Sequence, residues 1–250
     1  MTSTTILRAI AREKKRKLNW STRALSFHAK LMNKALGIRA SLQGWGNGVR
    51  SEKSMLILSN HLSYTDIFVI SSYFPASFIA SVDEVKHAFL LGKATELGGG
   101  FFVERRSRSG LRAEIESISE ILDLGINVAL FPEGTTSNGE HVLPFKTPLL
   151  SIAEKAGVDI LPLCIKYTRI DGVEVNEKNR DIVCYYGDMK FLDHLFKLLP
   201  VRSVEVELTV LDKIDPRLTA SRKELASSVY NMISSAFLDE SRQEVPSAQK

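Results

Sequence analysis

The sequence predicts an α/β fold: a single domain with a central mixed β-sheet flanked by helices, preceded by a basic amphipathic N-terminal helix. Three observations carry this. Apolar runs of strand length alternate with stretches of helical periodicity from residue 38 to residue 238. Hydrophobic residues are 44% and charged residues 25% of the 250, enough for one sizeable core. No internal repeat or linker breaks the alternation, so 37–238 reads as one domain between an N-terminal segment, 1–36, and a polar tail, 239–250, expected to be disordered.

Taken in order, residues 1–36 hold nine Lys/Arg and one acid, Glu13, whereas the whole chain carries a formal charge of +4. The basic character therefore belongs to this segment, and the remainder is mildly acidic. On a helix, Trp20, Ala24, Phe27, Leu31, Met32, Ala35 and Leu36 fall on one broad arc, with Arg23, Lys30, Asn33 and Lys34 on the other side. Such a segment suits an anionic membrane interface. The same apolar arc would equally serve to pack the helix on the domain.

Strands are expected at 38–44 and Ser54–Ser59. A helix over Asp66–Tyr73 opens on an aspartate and closes before Pro75. Ser77–Ser81 reads as a strand, and 83–97 as a helix ended by Gly98-Gly99-Gly100. Phe101–Val103 is a short strand. Leu111, Ile115, Ile118 and Leu122 are spaced for a helix stopping at Gly125. Further strands are expected at Asn127–Phe131, Ile160–Tyr167, Ile182–Gly187 and Ser203–Leu211, with helices at Thr147–Ala156 and Ser221–Leu238.

Several function classes are disfavoured. No run of apolar residues is long enough for a transmembrane helix, and the charged run Arg12–Lys17 is not followed by the apolar stretch of a signal peptide. Cys164 and Cys184 lie in apolar stretches and read as buried free thiols of a reducing compartment. No Cys/His spacing suits a metal. No aromatic stacking platform accompanies the basic arm, so nucleic acid is not the expected partner.

The chemistry starts at Asn60-His61-Leu62-Ser63-Tyr64-Thr65-Asp66. A neutral imidazole takes a proton from a hydroxyl, and a carboxylate on its other nitrogen fixes the tautomer and stabilises the imidazolium. A His-x4-Asp pair alone arises by chance in roughly one in four chains with this many histidines. On an unbroken helix, residues five apart differ by about 140° and do not face each other. The pair meets only if the chain turns between them, as it does where a strand passes through a loop into a helix. His87, His141 and His194 are expected at the surface.

Three further segments give the pair weight: Gly99-Gly100-Phe101-Phe102-Val103-Glu104-Arg105, Phe131-Pro132-Glu133-Gly134-Thr135-Thr136-Ser137, and Ile160-Leu161-Pro162-Leu163-Cys164-Ile165. With these blocks in this order, the chain resembles the glycerolipid acyltransferase family, of which the 1-acyl-glycerol-3-phosphate acyltransferases are the best known. The resemblance spans roughly residues 35–215. It implies an acyl transfer from acyl-CoA or acyl-carrier protein to the free hydroxyl of a lysolipid, with no other cofactor and no metal. His61 is then the general base and Asp66 its orienting acid. Asn60, Ser63, Gly99, Arg105, Glu133, Gly134, Thr135, Thr136 and Ser137 are expected around the substrate, and Phe102 and Pro162 at the acyl pocket.

The residues support parts of this independently. Arg105 offers a fork of donors for a phosphate or carboxylate. Gly134 permits an unusual turn that aims N–H groups and the hydroxyls of Thr135, Thr136 and Ser137 at an anion. Glu133 is either a substrate contact or a tie within its own loop. Two positions depart from the family: Thr136 replaces a usual arginine, and Ser81 stands where many members have lysine. Lysophosphatidate is the leading acceptor; Thr136 makes a lysophospholipid or a lyso-amino-acid lipid the runner-up. The expected location is the cytoplasmic face of a membrane, peripheral or monotopic. A catalytically silent lipid-binding protein is the alternative, and the intact His61/Asp66 pair counts against it.

Overall fold

The structure, a computed structural model, describes residues 3–44, 53–81, 101–103, 108–219 and 221–239. Its strands are β1 (Ile38–Gln43), β2 (Leu56–Ser59), β3 (Ser77–Ser81), β4 (Phe101–Val103), β5 (Val128–Leu130), β6 (Ile160–Ile170), β7 (Val173–Glu174) and β8 (Val204–Val210). Its helices are α1 (Ser3–Ala35), α2 (Asp66–Tyr73), α3 (Arg108–Asp123), α4 (Ser151–Ala156), α5 (Phe191–Leu198) and α6 (Arg222–Leu238). The strands form one sheet in the order β1-β8-β6-β2-β5-β3-β4, with β7 hairpinned onto β6.

The middle of the sheet is parallel: β2 pairs with both β5 and β6, and β3 with β5 and β4. β8 runs antiparallel to β6, and β1 parallel to β8. The sheet is mixed, as expected. Parallel strands covered on both faces need continuous apolar runs, and every residue of β2 and β5 is buried. Leu56, Leu58, Val128, Leu130, Ile160 and Leu161 lie at the centre of the core. The carboxyl ends of β2 and β5 deliver the His61 loop and the Glu133 loop to the same edge of the sheet.

Helix α1 packs in an unexpected sense. The face against the domain is Leu18, Thr22, Ser26, Ala29, Asn33 and Leu36, all buried. Asn33 Nδ2 donates to the Phe68 carbonyl of α2 at 3.2 Å, and Lys14 bridges to Glu120 of α3 at 2.9 Å. Small and polar residues let α1 approach closely, while burial of Leu18 and Leu36 contributes about 1.5–3 kcal/mol each. The apolar arc points the other way: Trp20 is 73%, Phe27 61% and Leu31 50% exposed. Packing on the domain therefore falls to the opposite side of the helix, with Leu36 alone crossing from the apolar arc into the core. No helix among the described residues is long and apolar enough to cross a membrane.

Most expected elements are present, α2 and β3 with the expected ends. Four differ. The segment Ile182–Gly187 is not a strand: Arg180–Ile182 is a 3-10 turn, and Tyr185 N donates to Leu62 O, so Val183 and Cys184 are buried beside the His61 loop and not in the sheet. Thr147–Ala156 divides into a 3-10 turn, Thr147–Leu150, with Pro148 tolerated in its first turn, and α4. Helix α5 and the β7 hairpin were not expected. The predicted helix at 83–97, its glycine stop and the tail beyond residue 239 lie outside the described residues.

Candidate active site

The His61 loop leaves β2 at Ser59 and enters α2 at Asp66. Asn60 extends the sheet by one side chain: Nδ2 donates to Ile165 O at 2.9 Å and Oδ1 accepts from Ile165 N at 2.8 Å. An amide carries one donor face and one acceptor face, so it completes a backbone-like pair where the ladder ends.

Asp66 makes the turn that the five-residue spacing requires. Its fully buried carboxylate accepts through Oδ2 from His61 Nδ1 at 2.8 Å, Leu62 N at 2.7 Å and Ser63 N at 2.9 Å. Oδ1 accepts from the Tyr167 hydroxyl at 2.7 Å, and that hydroxyl also meets Thr65 Oγ1 at 2.6 Å. Burial, and then the neighbouring Asp66 carboxylate, hold the Tyr167 hydroxyl well above its ordinary range, so it remains a neutral donor. A register shift in the β6–β8 ladder between Tyr167 and Arg169 lies where Tyr167 meets Asp66.

His61 is held on every side but one. Its N–H donates to Glu133 Oε1 at 2.7 Å, and its carbonyl accepts from Ser137 N at 2.9 Å. Its ring stacks on Phe131 with centroids 3.7 Å apart and planes 4° from parallel. Nδ1 faces the Asp66 carboxylate, an acceptor-only group, so Nδ1 carries the proton and Nε2 keeps the lone pair. The side chain is 13% exposed, an opening that suits a substrate hydroxyl.

The Glu133 loop is a scaffold for this histidine. Glu133 is buried, and its second oxygen accepts from Leu143 N at 2.8 Å. Burial raises its carboxyl to about 7 against the lowering pull of the Leu143 and His61 N–H groups. Gly134 has φ +70, which favours glycine, and Lys146 Nζ rests over it. Thr135 is exposed, and Thr136 is half-buried. Ser137 is buried and its Oγ accepts from Gly139 N at 3.3 Å.

The structure thus brings together His61, Asp66, Glu133, Gly134 and Ser137. Four residues expected to face substrate are instead turned inward. Asn60, Glu133 and Ser137 are occupied by bonds within the protein, and Ser63 is fully buried with no partner for Oγ. Pro162 is buried in β6 opposite Leu58. Phe102 lies on β4 in register with Ala80. Gly99 and Arg105 lie outside the described residues, as does His87.

His141 is exposed, but His194 is not: it is buried on α5, with Nδ1 3.1 Å from the Tyr64 hydroxyl. It sits against the rings of Tyr64 and Tyr185, and burial lowers it to about 4. The cysteines are free and buried, as expected. Among the described residues no group of His, Cys, Asp and Glu side chains is placed to hold a metal.

Tyr167, Thr65 and Phe131 escaped the sequence reading. The available signal was a lone hydroxyl-bearing ring near the end of the apolar run of β6. Replacing Tyr167 by phenylalanine removes one bond to a charged acceptor. The expected result is a kcat about tenfold lower with KM nearly unchanged. A matched rise in KM instead would show that Tyr167 shapes the substrate site and does not hold Asp66.

The chain is similar to known acyltransferases. A family model described as Acyltransferase matches residues 46–166. The chain is 31% identical over 226 residues to a lyso-ornithine lipid O-acyltransferase of Brucella abortus, covering 88% of this chain and 83% of that protein. A protein of the same name from Rhizobium meliloti is 32% identical over 222 residues, covering 86% and 75%. A 1-acyl-sn-glycerol-3-phosphate acyltransferase of Neisseria gonorrhoeae is 28% identical over 186 residues, covering 74% and 70%. Among solved structures, the 1-acyl-sn-glycerophosphate acyltransferase PlsC of Thermotoga maritima shares the fold, with a TM-score of 0.64 at 22% identity over 90% of this chain and 81% of that one.

Proposed function

Because the chain belongs to the acyltransferase family that acylates lysolipids, we propose that it moves a fatty acyl chain directly from an acyl thioester to a lysolipid hydroxyl, with His61 as base. The observation that carries this is the immobilised His61, with Nδ1 on Asp66 and only Nε2 left for chemistry. Nε2 takes the hydroxyl proton as the oxygen attacks the thioester carbonyl. The carbon–sulfur bond then breaks, and the leaving thiolate takes the proton from the imidazolium. Asp66 stabilises the positive ring throughout. No acyl-enzyme is required, so Cys164 and Cys184 have no part, and the thioester, of CoA or acyl-carrier protein, is the one co-substrate.

For the acceptor we favour a lyso-amino-acid lipid of the lyso-ornithine kind. Thr136 leaves the Glu133 loop without an arginine, and relatives above 30% identity carry that name. Lys146, resting over Gly134, supplies a single ammonium for the carboxylate of such a headgroup. Lysophosphatidate is the second reading, favoured by Arg105 in its block and by the Neisseria relative. Lyso-ornithine lipid, lysophosphatidate and lysophosphatidylethanolamine assayed side by side separate them. The expected ratio of kcat/KM for the first over the second is about tenfold or more, and the inverse ratio would reverse the assignment.

The outward apolar arc of α1 supports work at a membrane surface, on the cytoplasmic side where the thioester donors are. Trp20→Glu with Phe27→Glu should weaken partition onto phospholipid vesicles by about a hundredfold while sparing turnover on micellar substrate. Unchanged flotation of that variant would remove the membrane role of this face.

A further inference from the structure

Beside the C-terminal half of α1 lies a cavity of about 520 Å³, lined among others by Lys30, Asn33, Lys34, Arg39, Tyr73 and Arg202. Among the described residues no carboxylate lines it. None of its four cations forms an ion pair with a described acid. Four like charges around one hollow repel one another, and an anion relieves that repulsion.

The hollow is built from several elements. Gly37, with φ +68, ends α1 against the Arg202 carbonyl; a Cβ there would lie 2.5 Å from that oxygen. Arg39 comes from edge strand β1. The Tyr73 hydroxyl donates to Ala40 O and ties the end of α2 to the same strand. Asn33 is 6% exposed, and its Oδ1 has no partner, because the amide nitrogen is the atom turned to Phe68. A buried acceptor without a donor calls for a ligand hydroxyl or amine.

Two more facts select the ligand. Lys30 and Lys34 follow Phe27 and Leu31 by three residues on α1, so cations and exposed apolar side chains share one stretch of helix surface. And the cavity meets α2 at Ser72 and Tyr73, about 10 Å of helix away from Asp66, so it is separate from the catalytic opening. We infer that this cavity holds the headgroup of an anionic glycerophospholipid of the phosphatidylglycerol type, its phosphodiester on Lys30, Lys34, Arg39 and Arg202 and a glycerol hydroxyl on Asn33 Oδ1. The acyl chains then lie beside Phe27 and Leu31. The inference rests on the membrane-facing reading of α1 given above and adds to it a specific lipid.

The test compares the wild-type chain with Arg39→Gln/Arg202→Gln, which leaves α1 intact. Vesicles are phosphatidylcholine alone or with phosphatidylglycerol, or with phosphatidylmethanol, which has the same charge and no headgroup hydroxyl. The wild type should prefer phosphatidylglycerol over phosphatidylmethanol, and the double variant should lose about tenfold or more in binding to phosphatidylglycerol vesicles. Arg39→Lys/Arg202→Lys should retain most of the binding, which excludes loss through misfolding. Equal binding by wild type and the glutamine variant overturns the site, and equal binding of the two anionic lipids overturns the headgroup. Displacement of the wild type from vesicles by millimolar glycerol phosphate or inorganic phosphate assigns the cavity to a free phosphate and not a lipid, which also overturns the proposal. Turnover in neutral micelles free of anionic lipid reports on His61 and Asp66 alone. Its loss in the wild type would refute the proposed reaction, and a binding failure with turnover intact would refute only the lipid site.

Discussion

Replacing His61 by glutamine is expected to slow acyl transfer by about a thousandfold while the protein stays folded. The size follows from its role. In the direct transfer proposed above, a general base contributes roughly 10²–10⁴-fold, and no covalent step multiplies that loss. The fold survives because the two backbone bonds of His61, to Glu133 and from Ser137, do not involve its ring. Asp66 likewise keeps its bonds from Leu62 N, Ser63 N and Tyr167. Single-turnover transfer of a labelled acyl chain measures the effect, with the thermal midpoint as control. A rate within about threefold of wild type would mean another base does the work.

Glu133→Ala is expected to cause the largest loss of stability. It strands two backbone N–H groups, those of His61 and Leu143, in a buried loop. At about 1–3 kcal/mol for each unsatisfied donor the cost is roughly 2–6 kcal/mol, a large share of the ~5–15 kcal/mol that keeps a domain folded. Activity should fall as well, because His61 loses its anchor. The carboxyl also has a pH signature. Its folded value, raised to about 7, lies above the ordinary 4.5. This group therefore contributes stability that is fully present below about 4.5 and is lost as pH rises through about 7. Glu133→Gln does not titrate, so the stability of wild type relative to this variant should fall between pH 4.5 and 7 and level off above. Denaturant midpoints at pH 5 and pH 8 measure it; a constant difference would show that Glu133 titrates as an ordinary surface acid.

The dyad, the sheet and the ends of α2 were legible because they depend on local signals: a helix-opening aspartate, a proline stop, apolar runs of strand length. That His61 and Asp66 meet followed from the break between strand and helix. What was not legible is where polar side chains point. Asn60, Ser63, Glu133 and Ser137 sit in motif blocks and look like substrate contacts on paper. Only the packed loops show that three of them are taken up within the protein, Asn60 by Ile165, Glu133 by His61 and Leu143, and Ser137 by Gly139. The apolar stretch at 182–187 looked like a strand because burial under a loop demands the same residues as burial in a sheet. His194 was misplaced for a related reason: its helix has Leu192 and Phe196 outside and the histidine inside, against the ordinary amphipathic order.

Helix α1 shows the same inversion on a larger scale, and it constrains how this enzyme can be handled. Shortening the chain at its N-terminus is the common route to a better-behaved sample of an interfacial protein. Here that cut would unroof the flank of α2 and strand β1, on which α1 packs, and so exchange one sticky surface for another. Polar substitutions at Trp20, Phe27 and Leu31, on a full-length helix, are the route to crystals or to a detergent-free assay.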